Sequence, residues 1–355
     1  MKRLFIVLLS LFLAVSAIAQ APAHYYDSAN GLTGEALKLA LHNIIKGHTT
    51  ISYAQIWNAF WSTDNKGDGI VWDMYSDIPG GTPPYIYHLG TDQCGNYTAE
   101  GSCYNREHSW PQSWFNDQST PRTDMHHIFA TDGYVNGRRN NYAYGEVSGT
   151  KWTSRNGSKL GSCKTPGFSG TVFEPIDEYK GDLARALMYM SVRYYGEDNN
   201  WKSSDMTTKS VIKPWAMTML LRWNKQDPVS QKEIDRNNAI YNDYQHNRNP
   251  FVDHPEYADM IWDPNWVIAE DESGSAVSIY PSPVQRGGTL YLFLREQQVD
   301  QVTIYDLSGR ILWQTNVTSE ENHVLTLPYD LQSGFYLLRM SNGNQVVMNR
   351  KLLII

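Results

Sequence analysis

Between Tyr104 and Gly145 the chain concentrates residues suited to phosphoryl chemistry. The stretch opens with Tyr104-Asn105-Arg106-Glu107-His108-Ser109-Trp110-Pro111. It continues through Arg122-Thr123-Asp124-Met125-His126-His127 and closes with Val135-Asn136-Gly137-Arg138-Arg139-Asn140-Asn141. Hydrolysis of a phosphodiester needs an activated water, neutralised charge on the phosphoryl oxygens, and help for the leaving oxygen. Histidine is the natural base near neutral pH. A hard cation such as Mg²⁺ takes oxygen ligands, here a carboxylate and an amide carbonyl, with waters filling the rest. Glu107, His108 and a downstream Asn supply that set. On an extended segment neighbouring side chains point to opposite faces, so Glu107 and His108 would not compete for one ligand position.

Each of these residues also has a plain structural reading. A lone Glu-His pair is usually two polar side chains in contact with solvent. His126 and His127 are adjacent rather than four apart and no HExxH segment exists, so zinc is disfavoured and His126 is expected to be a hydrogen-bonded structural residue. Asp124 is expected to hold a neighbouring loop or histidine. Arg138 and Arg139, on a predicted short helix, fit a solvated face or phosphate contacts equally well. Asn136, Asn140 and Asn141 compete for the amide-ligand role.

The elements that must position this region come from the rest of the chain. Its 355 residues exceed one ordinary domain and suit two. Apolar residues make up 41%, enough for a large core, which argues against global disorder. Lys2, Arg3, the apolar run Leu4 to Ile18 and Ala17-Ile18-Ala19 read as a signal peptide over 1–19. That run falls short of the roughly 20 apolar residues of a membrane span, so no stable membrane insertion is expected. Gly34 to Ile45, Leu183 to Tyr195, Trp215 to Trp223 and Glu233 to Tyr244 carry helical patterns. Ala269 to Ala276 is acidic and contains Gly and Ser, which marks a linker. Beyond it, runs rich in β-formers are separated by turns at Asp306-Leu307-Ser308-Gly309 and Asn342-Gly343-Asn344. Roughly six or seven such strands suggest a β-sandwich.

Export places the chain where disulfides persist. Cys94 and Cys103 flank a Gly-containing loop and are expected to pair, leaving Cys163 over, with three free thiols as the alternative. The net charge of −7 speaks against a nucleic-acid partner, but charge acts locally. Residues 106–164 hold eight basic and five acidic side chains, a balance of +3 on an acidic chain. An ordinary solvated face explains that balance almost as well.

The order of the motifs resembles the bacterial endonuclease I family of ββα-metal (His-Me finger) nucleases. The matching segments are Arg106-Glu107-His108, Asp124-Met125-His126 and Val135 to Asn141, followed by Phe173-Glu174-Pro175, Gly181 to Arg185, Tyr189-Met190, Arg193-Tyr194 and Asn247 to Val252. The resemblance spans roughly residues 25 to 265 and rests on several spaced motifs in one order. It implies that His108 is the general base and that Glu107 and Asn141 are metal ligands, Asn141 because it stands two residues after Arg139. The family also uses an Arg between the base and the D-x-H motif. Arg122 is the only basic residue there, so the phosphate-steadying role falls to it. Arg106, Arg138 and Arg139 are the expected substrate contacts. The implied cofactor is Mg²⁺, with Mn²⁺ or Ca²⁺ as alternatives, and the implied substrate is DNA, with RNA as a second.

The tail resembles the C-terminal sorting domain of type IX secretion cargo, through Tyr280-Pro281-Ser282-Pro283, Val302 to Arg310, Gly334 to Arg339 and Arg350-Lys351-Leu352. It implies export by that machinery to the cell surface or medium.

The expectation is therefore an α+β chain: a mainly helical domain around a ββα-metal core at 20–268, a linker at 269–277 and a small all-β sandwich at 278–355. The mature chain is expected to be a monomer. An exported adhesive or surface-binding protein, or an inactive relative that only binds nucleic acid, are the competing classes.

Overall fold

The computed structural model describes residues 21–263, 277–280, 284, 286–294, 298–317, 322–343 and 345–354. The expected signal peptide, most of the expected linker, and Pro281-Ser282-Pro283 of the tail lie outside the described residues. The chain divides into one unit built mainly from residues 41–257 and another built mainly from 258–355.

Along the first part of the chain run α1 (Gly34–Ile45), α2 (Ile56–Thr63), β1 (Tyr104–His108), α3 (Ser119–Arg122), β2 (Ile128–Asp132) and α4 (Gly133–Arg139). Then come β3 (Ala143–Tyr144), β4 (Val147–Thr153), β5 (Lys159–Cys163), β6 (Thr171–Glu174) and α5 (Lys180–Arg193). A short β7–β8 pair (Thr207–Thr208, Val211–Ile212), α6 (Pro214–Gln226), α7 (Gln231–Ala239), α8 (Pro250–Asp253) and α9 (Tyr257–Trp262) follow.

Three of the helices have clear local causes. Pro214 opens α6 at a position where its missing N–H costs nothing. Ser230 and Glu233 form a reciprocal capping box on α7. Helix α5 is buried along its whole length, and its Arg185 is neutralised by Glu233 at 2.6 and 2.8 Å. The helix expected to run to Tyr244 ends at Ala239 and continues as a π-helical turn, Ile240–Gln245. The wider turn lets the Gln245 amide reach Asp124 Oδ1 at 3.0 Å.

Strands β1 and β2 pair antiparallel, with Glu107 opposite Phe129 and His108 opposite Ile128. Beneath the pair, Ile56 and Phe60 of α2 join Tyr104, Met125, Ile128, Ala130 and Ile240 in one apolar cluster. Burial of each large apolar side chain contributes about 1.5–3 kcal/mol to holding this floor in place. Helix α4 follows β2 directly. Asp132 caps it by accepting from Val135 N at 2.7 Å, and the same carboxylate takes the Tyr87 hydroxyl at 2.6 Å. Tyr97 lies flat against α4 where Gly133 and Gly137 leave room, since a Cβ at either would sit under 3 Å from the ring or its hydroxyl. Tyr97 belongs to the loop closed by a disulfide between Cys94 and Cys103, whose Cα atoms are 5.7 Å apart, and Cys163 is free.

Residues 143–174 hold a four-stranded sheet in the order β3-β6-β5-β4, with β3 and β6 parallel. The sequence left this segment without strands. The strands are short and bulged, and Gly161 is required because a Cβ there would lie 2.2 Å from the Gly149 carbonyl oxygen.

In the second unit β9 (Val277–Tyr280), β10 (Thr289–Leu294) and β13 (Asn322–Thr326) make one antiparallel sheet. Strands β11 (Gln301–Tyr305), β12 (Ile311–Asn316), β14 (Gly334–Asn342) and β15 (Gln345–Ile354) make the other. Leu290 and Leu292 of the first share a core with Val302, Ile304, Leu338, Met340 and Leu352 of the second. The Asp306 turn forms as its residues dictate: the carboxylate accepts from Ser308 N and Arg310 N, and Gly309 takes φ +87°. Among the described residues no helix is long and apolar enough to cross a membrane.

Candidate active site

Strand β1 carries Glu107 and His108 into two different neighbourhoods, as alternation along an extended segment requires. Glu107 is buried, and its Oε1 accepts from the hydroxyls of Tyr75 (2.9 Å) and Tyr144 (3.3 Å). Arg139 Nη1 lies 3.4 Å from the same oxygen. Among the described residues Oε2 has no hydrogen bond. Burial pushes the Glu107 carboxyl up, and Arg139 with the two hydroxyls opposes that shift.

His108 lies on the other side, against Tyr53, Phe115 and His127. The Tyr53 ring stacks on it at 6.1 Å and 26°. His108 Nε2 is 3.0 Å from the carbonyl oxygen of Arg122. A carbonyl can only accept, so Nε2 carries the hydrogen and Nδ1 holds the lone pair. Burial lowers this histidine to about 3, with His127 and then Arg106 and Arg122 adding to the shift. The ring is therefore neutral at physiological pH, oriented from one nitrogen and with a lone pair at the other.

The lone pair at Nδ1 faces Gln112, whose amide Nε2 is 3.3 Å away. The Gln112 carbonyl Oε1 in turn accepts from Arg122 Nε at 3.0 Å. Arg122 is exposed, and its guanidinium lies 4.3 Å above the Tyr53 ring. Arg106 sits 3.6 Å from the centre of the same ring and donates to the Tyr53 carbonyl at 2.8 Å. Neither arginine forms an ion pair among the described residues. Two guanidinium groups thus flank Tyr53 beside the imidazole, an arrangement that favours an anion.

The adjacent arginines of α4 part company. Arg139 is 1% exposed, and it donates to the carbonyl oxygens of His108 (3.2 Å), Ser109 (2.6 Å) and Asn140 (3.2 Å). Its fork is spent on the main chain and on Glu107, so the structure turns this expected substrate contact inward as a strut between β1 and α4. Arg138 is exposed, 5.3 Å from the Trp152 ring. Asn141 is also exposed, just past α4, and makes no hydrogen bond to Glu107 or His108. Asn136 is engaged elsewhere, donating to Asn105 Oδ1 at 2.7 Å. Asn140 caps α4 at φ 52° and ψ −134°, a conformation that disfavours any residue but glycine.

The D-x-H segment is structural in this arrangement. Asp124 accepts from His126 N, Gln245 Nε2, Tyr189 OH and Tyr194 OH. His126 donates from Nε2 to the Asn247 carbonyl at 3.1 Å, and His127 likewise to that of Pro121 at 2.7 Å. Among the described residues no group of three or more His, Cys, Asp or Glu side chains is arranged to hold a metal. Tyr53, Tyr75, Tyr144 and Gln112 were not foreseen. Nothing distinguishes a lone Tyr or Gln in a loop before the chain is folded.

Similarity to known proteins identifies the chain as a nucleic-acid-hydrolysing enzyme. Residues 33–256 match the Endonuclease I family, and the chain belongs to it. Residues 278–355 match the secretion system C-terminal sorting domain, which makes this a secreted or cell-surface enzyme. It is similar to the extracellular ribonuclease of Bacillus amyloliquefaciens, 42% identical over 248 residues, which cover 67% of this chain and 78% of the relative. The extracellular ribonuclease of Bacillus subtilis (strain 168) is 40% identical over the same extents. An endonuclease-1 of Buchnera aphidicola subsp. Baizongia pistaciae is 31% identical over 131 residues, covering 37% of this chain and 46% of that one.

Proposed function

We propose that the protein is an exported, metal-dependent endonuclease that cuts DNA and RNA with little sequence preference, using His108 as general base. The observation that carries this reading is the buried imidazole, fixed through Nε2 with its lone pair at Nδ1, adjacent along β1 to a carboxylate whose second oxygen has no hydrogen bond among the described residues. The antiparallel β1–β2 pair and α4 would be the family's ββα-metal unit.

The donor chemistry fits a hard cation. Glu107 Oε2 and the amide oxygen of exposed Asn141 are both oxygen donors without hydrogen bonds among the described residues, and no group of three or more His, Cys, Asp or Glu side chains is gathered there among them. Mg²⁺, or Mn²⁺ or Ca²⁺, held by them would supply charge stabilisation at the phosphoryl and leaving oxygens.

The chain's own residues do the rest. Arg122, with Arg106 beyond Tyr53, binds the scissile phosphate. His108 Nδ1 takes a proton from water as the water oxygen bonds to phosphorus and the bond to the 3′ oxygen breaks. The Arg122 carbonyl and the incoming phosphate stabilise the imidazolium that forms. Arg139 keeps β1 and α4 in place. Contacts of this kind read the backbone rather than base edges, so sequence preference is weak. Relatives named for RNA and for DNA support both substrates.

Plasmid DNA and a long RNA, each incubated with and without EDTA, test the reading. Cleavage that EDTA stops and that metal restores supports it. Unchanged cleavage in chelator removes the cation. No cleavage in any arm points to an adhesive or merely nucleic-acid-binding chain. Glu107→Ala should raise the metal concentration needed for half-maximal activity.

A further inference from the structure

Most of the described tyrosines that pack around the site place their hydroxyls on protein groups: Tyr75 and Tyr144 on Glu107, Tyr87 on Asp132, Tyr189 and Tyr194 on Asp124. Tyr97 and Tyr134 do not. Both are half-buried, and neither hydroxyl has a hydrogen-bond partner among the described residues. They run in series with Trp152: the Tyr97 and Tyr134 rings are 6.4 Å apart edge to face, and Tyr134 and Trp152 are 6.4 Å apart at 58°. Arg138 lies 5.3 Å from the Trp152 ring and has no carboxylate partner among the described residues. The row is anchored on α4, the helix whose next residue, Arg139, reaches Glu107.

We infer that Tyr97, Tyr134, Trp152 and Arg138 form a track for an unpaired strand of the nucleic acid leading away from the scissile bond. This rests on the nuclease reading and adds the substrate class, single-stranded RNA or DNA, at a surface outside the catalytic residues. The chemistry is specific to that occupant. Partly accessible rings stack on bases whose faces are free, whereas duplex bases already stack on one another. A guanidinium among the rings takes the backbone phosphate and is charge-matched to it. The disulfide-closed loop and the two α4 glycines hold Tyr97 in the row, so the track is built rather than incidental.

The test uses the full mature chain with His108→Ala and chelator present, so that nothing is cut. Binding of fluorescein-labelled single strands about a dozen nucleotides long, poly-U and poly-dT, is read by anisotropy beside a duplex of equal length. Trp152→Ala should weaken single-strand binding about tenfold and duplex binding less than twofold. Trp152→Phe should restore most of the loss, which a misfolded surface would not. Arg138→Ala should lower the slope of log affinity against log salt by about 0.7. Trp152→Ala binding that matches the parent, or equal losses for single strand and duplex, overturns the track. Cleavage of plasmid DNA and of the long RNA by the His108-containing chain is run in parallel. Its presence with a failed binding result removes the track alone, and its absence removes the nuclease reading.

Discussion

Gln112 Nε2 stands 3.3 Å from His108 Nδ1, on the lone pair that takes a proton from water in the proposed mechanism. The same side chain holds Arg122 through Oε1. The proposed base and the proposed phosphate-binding cation are thus joined by one amide. Removing it in Gln112→Ala should loosen Arg122 and raise KM for an oligonucleotide about tenfold, the scale of one charge-assisted hydrogen bond, with a smaller change in kcat. Gln112→Glu keeps the acceptor for Arg122 but sets an acceptor against the Nδ1 lone pair, so kcat should fall further than in Gln112→Ala. Steady-state kinetics on the two variants check this, and equal kcat values would refute it.

His108→Ala should cost about a thousandfold in rate, within the span of general-base catalysis. The ring contributes packing as well, so circular dichroism and a melting curve must accompany the assay. Near-native activity in a folded variant would mean that another group takes the proton.

Arg139 and Arg138 should separate cleanly under alanine substitution. Arg139→Ala strands the buried Glu107 carboxylate and three main-chain carbonyls, and a loss of about 3–5 kcal/mol is expected. Arg138→Ala on the exposed face should change stability by no more than about 0.5 kcal/mol. Urea unfolding measures both, and similar values for the two would contradict the inward placement of Arg139.

Acid should unfold the domain before its carboxylates titrate fully. Burial lowers His126 to about 3 and His127 to about 4, against an ordinary value of 6.5. The unfolded chain therefore binds more protons than the folded one below pH 6.5. Their contribution to stability is complete above that pH and shrinks as pH falls toward 4, by about 1.4 kcal/mol per pH unit for each histidine. Denaturation midpoints measured from pH 7 to 4 should decline accordingly, and a flat profile across that range would contradict it.

Much of this molecule could be read from residue order. The ordered motifs from Arg106 to Val252 named the family, helical spacing found α1, α5 and α6, and β-rich runs found the strands of the tail except β9. Local signals sufficed there because each depends on a few neighbouring residues. What stayed hidden depends on distant ones. The direction of Arg139 against Arg138 follows from the phase of α4, which the Asp132 cap and Tyr97 set. The sheet of β3–β6 brings Ala143 beside Val172 through strands too short and glycine-broken to show a period. Gln112 acquires meaning only when α3 carries Arg122 back across it.

Under the proposed mechanism, the opposed placement of Glu107 and His108 on β1 makes activity a question of strand register. Five residue pairs hold β1 to β2, and a slip by one would exchange the faces of carboxylate and imidazole while leaving the strand pair intact. Such a chain would still be compact and would still carry its helices. Refolded preparations should therefore be judged by titrating competent sites rather than by their spectra, because a misthreaded fraction would be spectroscopically silent.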